Sequence, residues 1–226
     1  MSWFTDTFGS TIGRKLLMSL TGLFLIIFLT VHLLGNIAIF NDDGGLAFNA
    51  YAVFMGHNPL IKIVSYALYI SILLHAIIAL WLWIINKIAR PVGYAVSNAN
   101  ENSTWASRSM LLLGSLVFIY IVIHLKDFWW HYKMGGDYDF SMDTNGNRNL
   151  YGLVILQFQS LITLIIYLVG LIALAIHLWH GFESAFQTLG LQHQRYTPAI
   201  KLIGKLFSII VPSGFAAMPI YVYFFS

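Results

Sequence analysis

Five long apolar runs in this 226-residue chain carry no Asp, Glu, Lys or Arg: 16–41, 63–86, 109–125, 149–182 and 206–226. A helix needs about 20 such residues to cross the hydrocarbon core of a bilayer. The runs therefore predict five spans, over about 16–40, 61–87, 105–130, 150–185 and 201–225. The third run is short. It extends back to Trp105 and forward past Lys126, whose stem can snorkel. The fourth is longer than a bilayer requires, so it should tilt or project. Pro212 and Gly214 predict a kink in the fifth, which neighbouring helices must stabilise.

Composition agrees. Charged residues make up 9% of the chain and hydrophobic ones 58%, whereas soluble domains carry about 25% charged residues. The fold class is an all-α integral membrane bundle, with 1–226 as one transmembrane domain and no internal repeat. The absence of cysteine excludes disulfides, thiolate metal sites and cysteine-bound clusters within the chain. A net charge of +3 without a basic run gives no sign of nucleic acid as a partner. Arg14 and Lys15 precede the first run as in a signal peptide. The run is too long for an h-region of roughly 7–15 residues and no A-x-A site follows, so it is read as a retained helix.

Five spans put the termini on opposite sides. One side collects Arg14, Lys15, Lys87, Arg90, Arg108, Arg195, Lys201 and Lys205. The other has Lys62, Lys126, Lys133 and Arg148 beside Asp42, Asp43, Asp137, Asp139 and Asp143. By the positive-inside rule the N-terminus and the segments around 87–108 and 183–205 are cytoplasmic, and the C-terminus is outside. The segment 133–149 is the largest outer loop. Trp3, Phe4 and Phe8 could form an interfacial belt.

On this frame the histidines fall at two depths. His32 and His124 lie late in outward-running spans, in the outer half. His75 lies past the middle of an inward-running span, and His177 and His180 lie late in another. About a dozen residues, at about 1.5 Å each, would separate the levels. Two levels, each with imidazoles from two helices, suit two bis-histidine haems stacked across the membrane, because neutral imidazole binds iron and bundle cores hold such sites. The pairs would be His32–His124 outside and His75 with His177 or His180 inside. Interhelical hydrogen bonding explains any single histidine equally well. A proton-conducting histidine chain is the stronger rival for the set, and zinc is weakened by the lack of acidic ligands near these depths. His57, His131 and His193 lie in or near loops. His131 and His193 are read as solvated or at headgroup level. Gly22, Gly35, Gly114, Gly170 and Gly181 could flank a macrocycle, although small residues also serve ordinary helix packing. Ser19, Arg14 and Lys15 inside, and Lys126 outside, are candidate partners for haem propionates.

Spacing alone leaves His177 and His180 open. Three residues advance about 300°, so the side chains point within about 60° of each other, about 4.5 Å apart in level.

The five spans with His32, His75, His124 and His177, and the segments KLLMSLTGL (15–23), VHLLGN (31–36) and HLWHGFESAFQTLGL (177–191), resemble the dihaem cytochrome b membrane anchor of succinate dehydrogenases and fumarate reductases, b558-type. The resemblance covers nearly the whole chain. It implies two haems b in a bacterial cytoplasmic membrane, a flavoprotein partner holding FAD, and an iron–sulfur partner holding the clusters. It also implies a quinone site and electron flow from the iron–sulfur subunit through inner and outer haems to quinone, menaquinone rather than ubiquinone. In that family the inner ligand stands four residues before a glycine, which here selects His177 with Gly181. His180 becomes a polar neighbour that can bond a propionate, quinone or a second partner. Two acidic positions of the fumarate reductase branch are Ala175 and Met55 here. Their loss favours succinate:quinone reductase over quinol-oxidising fumarate reduction. His57, in GHNP, is then the group to handle quinone protons near neutral pH. Reducing menaquinone with succinate would need help from the membrane potential, worth about 2.3 kcal/mol per charge per 100 mV.

Overall fold

The computed structural model of the chain describes residues 6, 9–89, 101, 103–135, 138 and 140–226. Trp3, Phe4, Phe8, Arg90, Asp137 and Asp139 lie outside the described residues.

Three of the five long helices begin at a side-chain cap. Ser10 accepts from Gly13 N–H (3.0 Å) and starts α1, Thr11–Asn36, which continues as a 3₁₀ turn over Ile37–Phe40. A short α2, Leu46–His57, follows. Asn58 accepts from the amides of Leu60 and Ile61, and Pro59 supplies a first residue that needs no donor, so α3 runs from Pro59 to Ile88. One turn, α4 (Trp105–Arg108), precedes α5, Met110–His124. That helix widens into a π-helical stretch, Leu125–Trp130, and ends in α6, His131–Met134.

The fourth apolar run is two helices rather than one tilted span. Ser160 adopts an extended backbone (φ −83°, ψ 122°) and its hydroxyl caps Thr163, so α7 (Leu150–Phe158) is separate from α8 (Leu161–Thr188). By length and hydropathy the helix that can cross a membrane is α8, from Leu161. Gln159 and Ser160 are polar but uncharged, so no charge marks the break. The last helix, α9, runs unbroken from Thr197 to Phe225 with Pro212 and Pro219 inside it, both buried.

Thr11–Phe40, Pro59–Ile88, Met110–Met134, Leu161–Thr188 and Thr197–Phe225 are long and apolar enough to cross a membrane. No strand occurs among the described residues; Met142 and Arg148 form one isolated bridge. The first four spans make a square in which α1 packs on α3, α3 on α5, α5 on α8 and α8 on α1. Thus α1 faces α5, and α3 faces α8, across the middle. Helix α9 packs along α8 outside the square and also reaches α1 and α7. Val117, Leu171, Leu174 and Leu178 form the core between α5 and α8. Ile39, Phe48, Phe158, Tyr167 and Val222 close the outer end. Large apolar side chains such as Ile27, Leu34, Ile70 and Ile172 are exposed along the spans, as lipid contact requires.

The segment 140–149 is docked on α2. Asn49 of α2 is fully buried. Its amide donates to Asp143 Oδ2 and Asn149 Oδ1 (both 3.2 Å), and its oxygen accepts from Tyr151 N–H (2.8 Å). Desolvation opposes the Asp143 charge, but hydrogen bonds from Asn147, Asn49 and Asn145 outweigh it and hold the carboxyl below its usual 3.8. A depressed carboxyl pKa contributes stability above the unfolded value and loses it as pH falls through the folded one. The midpoint of thermal unfolding in neutral detergent should therefore drop below about pH 4 in the wild-type chain, with a flatter response in Asp143→Asn. Asn49→Ala should cost about 1–3 kcal/mol at neutral pH, because it strands buried polar partners.

Candidate functional site

The square brings the intramembrane histidines together in two pairs, each spanning a diagonal. His32 of α1 and His124 of α5 have ring centres 5.8 Å apart at an interplanar angle of 88°. His75 of α3 and His177 of α8 have ring centres 6.3 Å apart at 71°. An imidazole–metal bond of about 2.0–2.1 Å, plus roughly 1.1 Å from nitrogen to ring centre, puts two rings on opposite sides of one ion about 6.3 Å apart. The His75–His177 pair has that spacing, and the His32–His124 pair, at 5.8 Å, would have to open by about half an ångström to take an ion.

The levels can be counted along the helices. A Cβ on Gly22 of α1 would lie 3.3 Å from the His75 ring, so Gly22 marks the inner level, ten residues before His32. A Cβ on Gly114 of α5 would lie 3.6 Å from the His177 ring, again ten residues before His124. Two helices give the same interval, about 15 Å at about 1.5 Å per residue. That is half of a hydrocarbon core of about 30 Å, and somewhat less than the dozen residues expected from sequence.

The surroundings of each ring differ. Thr21 donates its hydroxyl to Leu17 C=O (2.8 Å), and His75 Nδ1 lies 3.1 Å from Thr21 Oγ1. With that proton spent on the backbone, the oxygen can accept from Nδ1–H, which leaves Nε2 with its lone pair. Asn36 orients His32 by contacts to its Nδ1 (3.3 Å) and its carbonyl (2.7 Å). The Nδ1 atoms of His124 and His177 are shut off from solvent and have no hydrogen-bond partner among the described residues. Such orphans cost about 1–3 kcal/mol each and call for a water, ion or ligand. Among the described residues no three His, Cys, Asp or Glu converge. A metal at either pair would take two protein ligands, so a planar tetradentate macrocycle is the partner that would complete its coordination. The inner residues fit such a group: a diagonal imidazole pair at the right spacing, with Gly22 of α1 beside one ring and Gly114 of α5 beside the other.

Other expectations sort differently. Gly35 and Gly170 do not flank the imidazoles: the Tyr51 and Tyr120 rings occupy the space beside them. A Cβ at Gly181 would meet nothing within 4 Å. Ser19 is buried, and its hydroxyl donates to Lys15 C=O (3.0 Å). Arg14 lies over the Trp81 ring at 4.7 Å, and Lys15 is exposed. His180 lines a cavity with Trp179, Glu183, Lys201 and Lys205. His57 is exposed at the end of α2, and its Nδ1 lies 2.9 Å from Val53 C=O, to which it can donate. His193 is exposed, but His131 is half-buried with Nδ1 closed to solvent, so it is not simply solvated.

Spacing missed an acid. Asp127 is 5% exposed and lies one turn beyond His124, so a carboxylate does sit near the outer level. It accepts from Tyr167 O–H (3.1 Å) and pairs with Lys126 (3.1 Å), whose side chain is largely exposed. Lys126 is thereby committed to Asp127. Tyr120, Phe128 and Tyr167 pack around the His124 ring. In sequence Asp127 reads as the polar end of a span. The π-helical stretch is a feature found often at functional sites, and a buried ionisable group here fits that pattern.

No protein-family model, no curated protein and no solved structure matches this chain. The fold and site together define a five-span membrane bundle with two stacked imidazole pairs. Tyr167→Phe should lower stability by about 1–3 kcal/mol by stranding an Asp127 oxygen, read as a lower unfolding midpoint in detergent. An unchanged midpoint would mean that the carboxylate finds another donor.

Proposed function

We propose that the chain is the membrane anchor and dihaem cytochrome b subunit of a succinate:quinone oxidoreductase in a bacterial cytoplasmic membrane, oriented with its N-terminus inside. The observation that carries this reading is the meeting of His32 with His124 and of His75 with His177 at two levels about 15 Å apart by helix rise. The resemblance of 15–23, 31–36 and 177–191 to such anchors supports the choice of complex.

Bound haem would supply reversible one-electron transfer at iron. His75 and His177 would hold the inner group, His32 and His124 the outer. Thr21 would keep the His75 ring oriented and its Nε2 free, which is how a hydrogen bond behind a ligand sets its geometry and basicity. Asn36 would hold the His32 ring in place. Tyr120, Phe128 and Tyr167 would exclude water from the outer pair, and burial of this kind tunes haem potential. At the outer surface, His57 with Nδ1–H on Val53 C=O presents Nε2 as a base for quinone protons. Dicarboxylate chemistry, FAD and iron–sulfur clusters belong in this reading to a flavoprotein and an iron–sulfur partner. The chain itself has no cysteine to hold a cluster. Quinone, by resemblance menaquinone, is the electron acceptor.

The tagged chain should purify from membranes with a flavoprotein that oxidises succinate. Its reduced-minus-oxidised spectrum should lose about half its b-type alpha band in His177→Ala and keep all of it in His180→Ala. Recovery without a flavoprotein would remove the succinate dehydrogenase assignment. The reverse spectral result would make His180 the ligand. Gly22→Val should deplete the same half of the spectrum as His177→Ala, since its branched side chain would press on the His75 ring.

A further inference from the structure

The ends of α8 and α9 on the Arg- and Lys-rich side, with α4 beside them, enclose a cavity of about 120 Å³. Its polar lining is Thr104, His180, Glu183, Lys201 and Lys205, with Trp179 as the aromatic wall. Both helices change character here. The uncharged run of α8 ends at Phe182, just before Glu183, and that of α9 begins at Leu206, just after Lys205. The cavity thus lies where hydrocarbon gives way to headgroups. Trp179 is half-exposed, as interfacial tryptophans are. Leu206 and Ile210, the next turn of α9 into the uncharged run, are exposed.

The charges do not cancel. Glu183 pairs with Lys201 at 2.8 Å. Lys205 has no ion pair among the described residues; its ammonium lies 5.5 Å from the centre of the Trp179 ring. Thr104 caps α4 by accepting from Ser107 N–H, which leaves its O–H free to donate. One uncompensated ammonium, a hydroxyl and an imidazole therefore face a space with room for a few heavy atoms. A neutral ligand would leave the Lys205 charge unanswered. A singly charged group with several acceptor oxygens would answer it.

We propose that this cavity binds the phosphodiester headgroup of an anionic phospholipid. Lys205 is its charge partner, Thr104 and His180 supply hydrogen bonds, and the acyl chains lie along Leu206 and Ile210. Basic pockets between spans on the cytoplasmic side are suited to such headgroups. The site is independent of the haem reading and gives His180 a role of its own.

The test is thermal unfolding of the full chain in neutral detergent with added phosphatidylglycerol, phosphatidylcholine or inorganic phosphate. A ligand that binds only the folded state raises the midpoint with its concentration. Phosphatidylglycerol should raise it; phosphatidylcholine and inorganic phosphate at equal concentration should not. Lys205→Gln, at an exposed position, should weaken the apparent affinity about fivefold, the equivalent of about 1 kcal/mol for one lysine at an anionic surface. Lys205→Arg should retain it. Lys87→Gln, at the same end of α3, should leave it unchanged. Equal stabilisation by phosphatidylcholine or by free phosphate would overturn the proposal. So would an unaltered response in Lys205→Gln, or an equal loss in Lys87→Gln.

Discussion

A bilayer offers a buried polar group no water, so each one must find its partner within the chain. That constraint organises this molecule. Most polar groups in the spans meet it locally: Ser19, Thr21, Thr30 and Ser65 return their hydroxyls to the carbonyls one turn back. The imidazoles of the two diagonal pairs do not close on themselves in this way. They face each other across the square at 5.8 and 6.3 Å between ring centres, with no hydrogen bond between the rings, and the second separation matches that of two imidazoles on one ion. In each pair one ring has a polar neighbour, Asn36 or Thr21, and the other, His124 or His177, has a buried Nδ1 without a partner among the described residues.

The packing keeps that arrangement in register. Glycine on α1 and on α5 admits the imidazoles of α3 and α8, and the same ten-residue interval on both helices fixes two parallel levels. Around His124 the aromatic rings and the Asp127–Tyr167 bond form a dense outer wall. The inner level is lined more by glycine and Thr21. Two sites of the same ligand type therefore sit in different surroundings, and burial and hydrogen bonding are the terms by which a protein separates haem potentials.

The spans were legible because charge is costly in lipid, so uncharged runs mark them. The depth of each histidine was legible because helix rise converts sequence position into height and successive spans alternate in direction. Spacing could not say which helices face one another, so the diagonal pairing needed the fold. Nor could it separate His177 from His180, about 60° apart on one helix; only the neighbours distinguish them, His75 for one and Lys205 with Trp179 for the other. The break at Ser160 was hidden by polar residues without charge. Asp127 was hidden by its adjacency to Lys126, which made both look like the end of a span, and the π-helical stretch that follows His124 has no signature in hydropathy. Asn49, the anchor of the outer loop, is an ordinary asparagine until its three partners converge on it.

The most direct test of the central claim is the haem content of the purified full-length chain, measured as pyridine haemochrome against protein concentration. Two b-type haems per chain, with one remaining in either His75→Ala or His32→Ala, is the result that two independent diagonal imidazole pairs predict. A preparation that folds and remains soluble in detergent but carries no haem, after expression with haem in excess, would contradict it and leave the four histidines to proton or ion traffic.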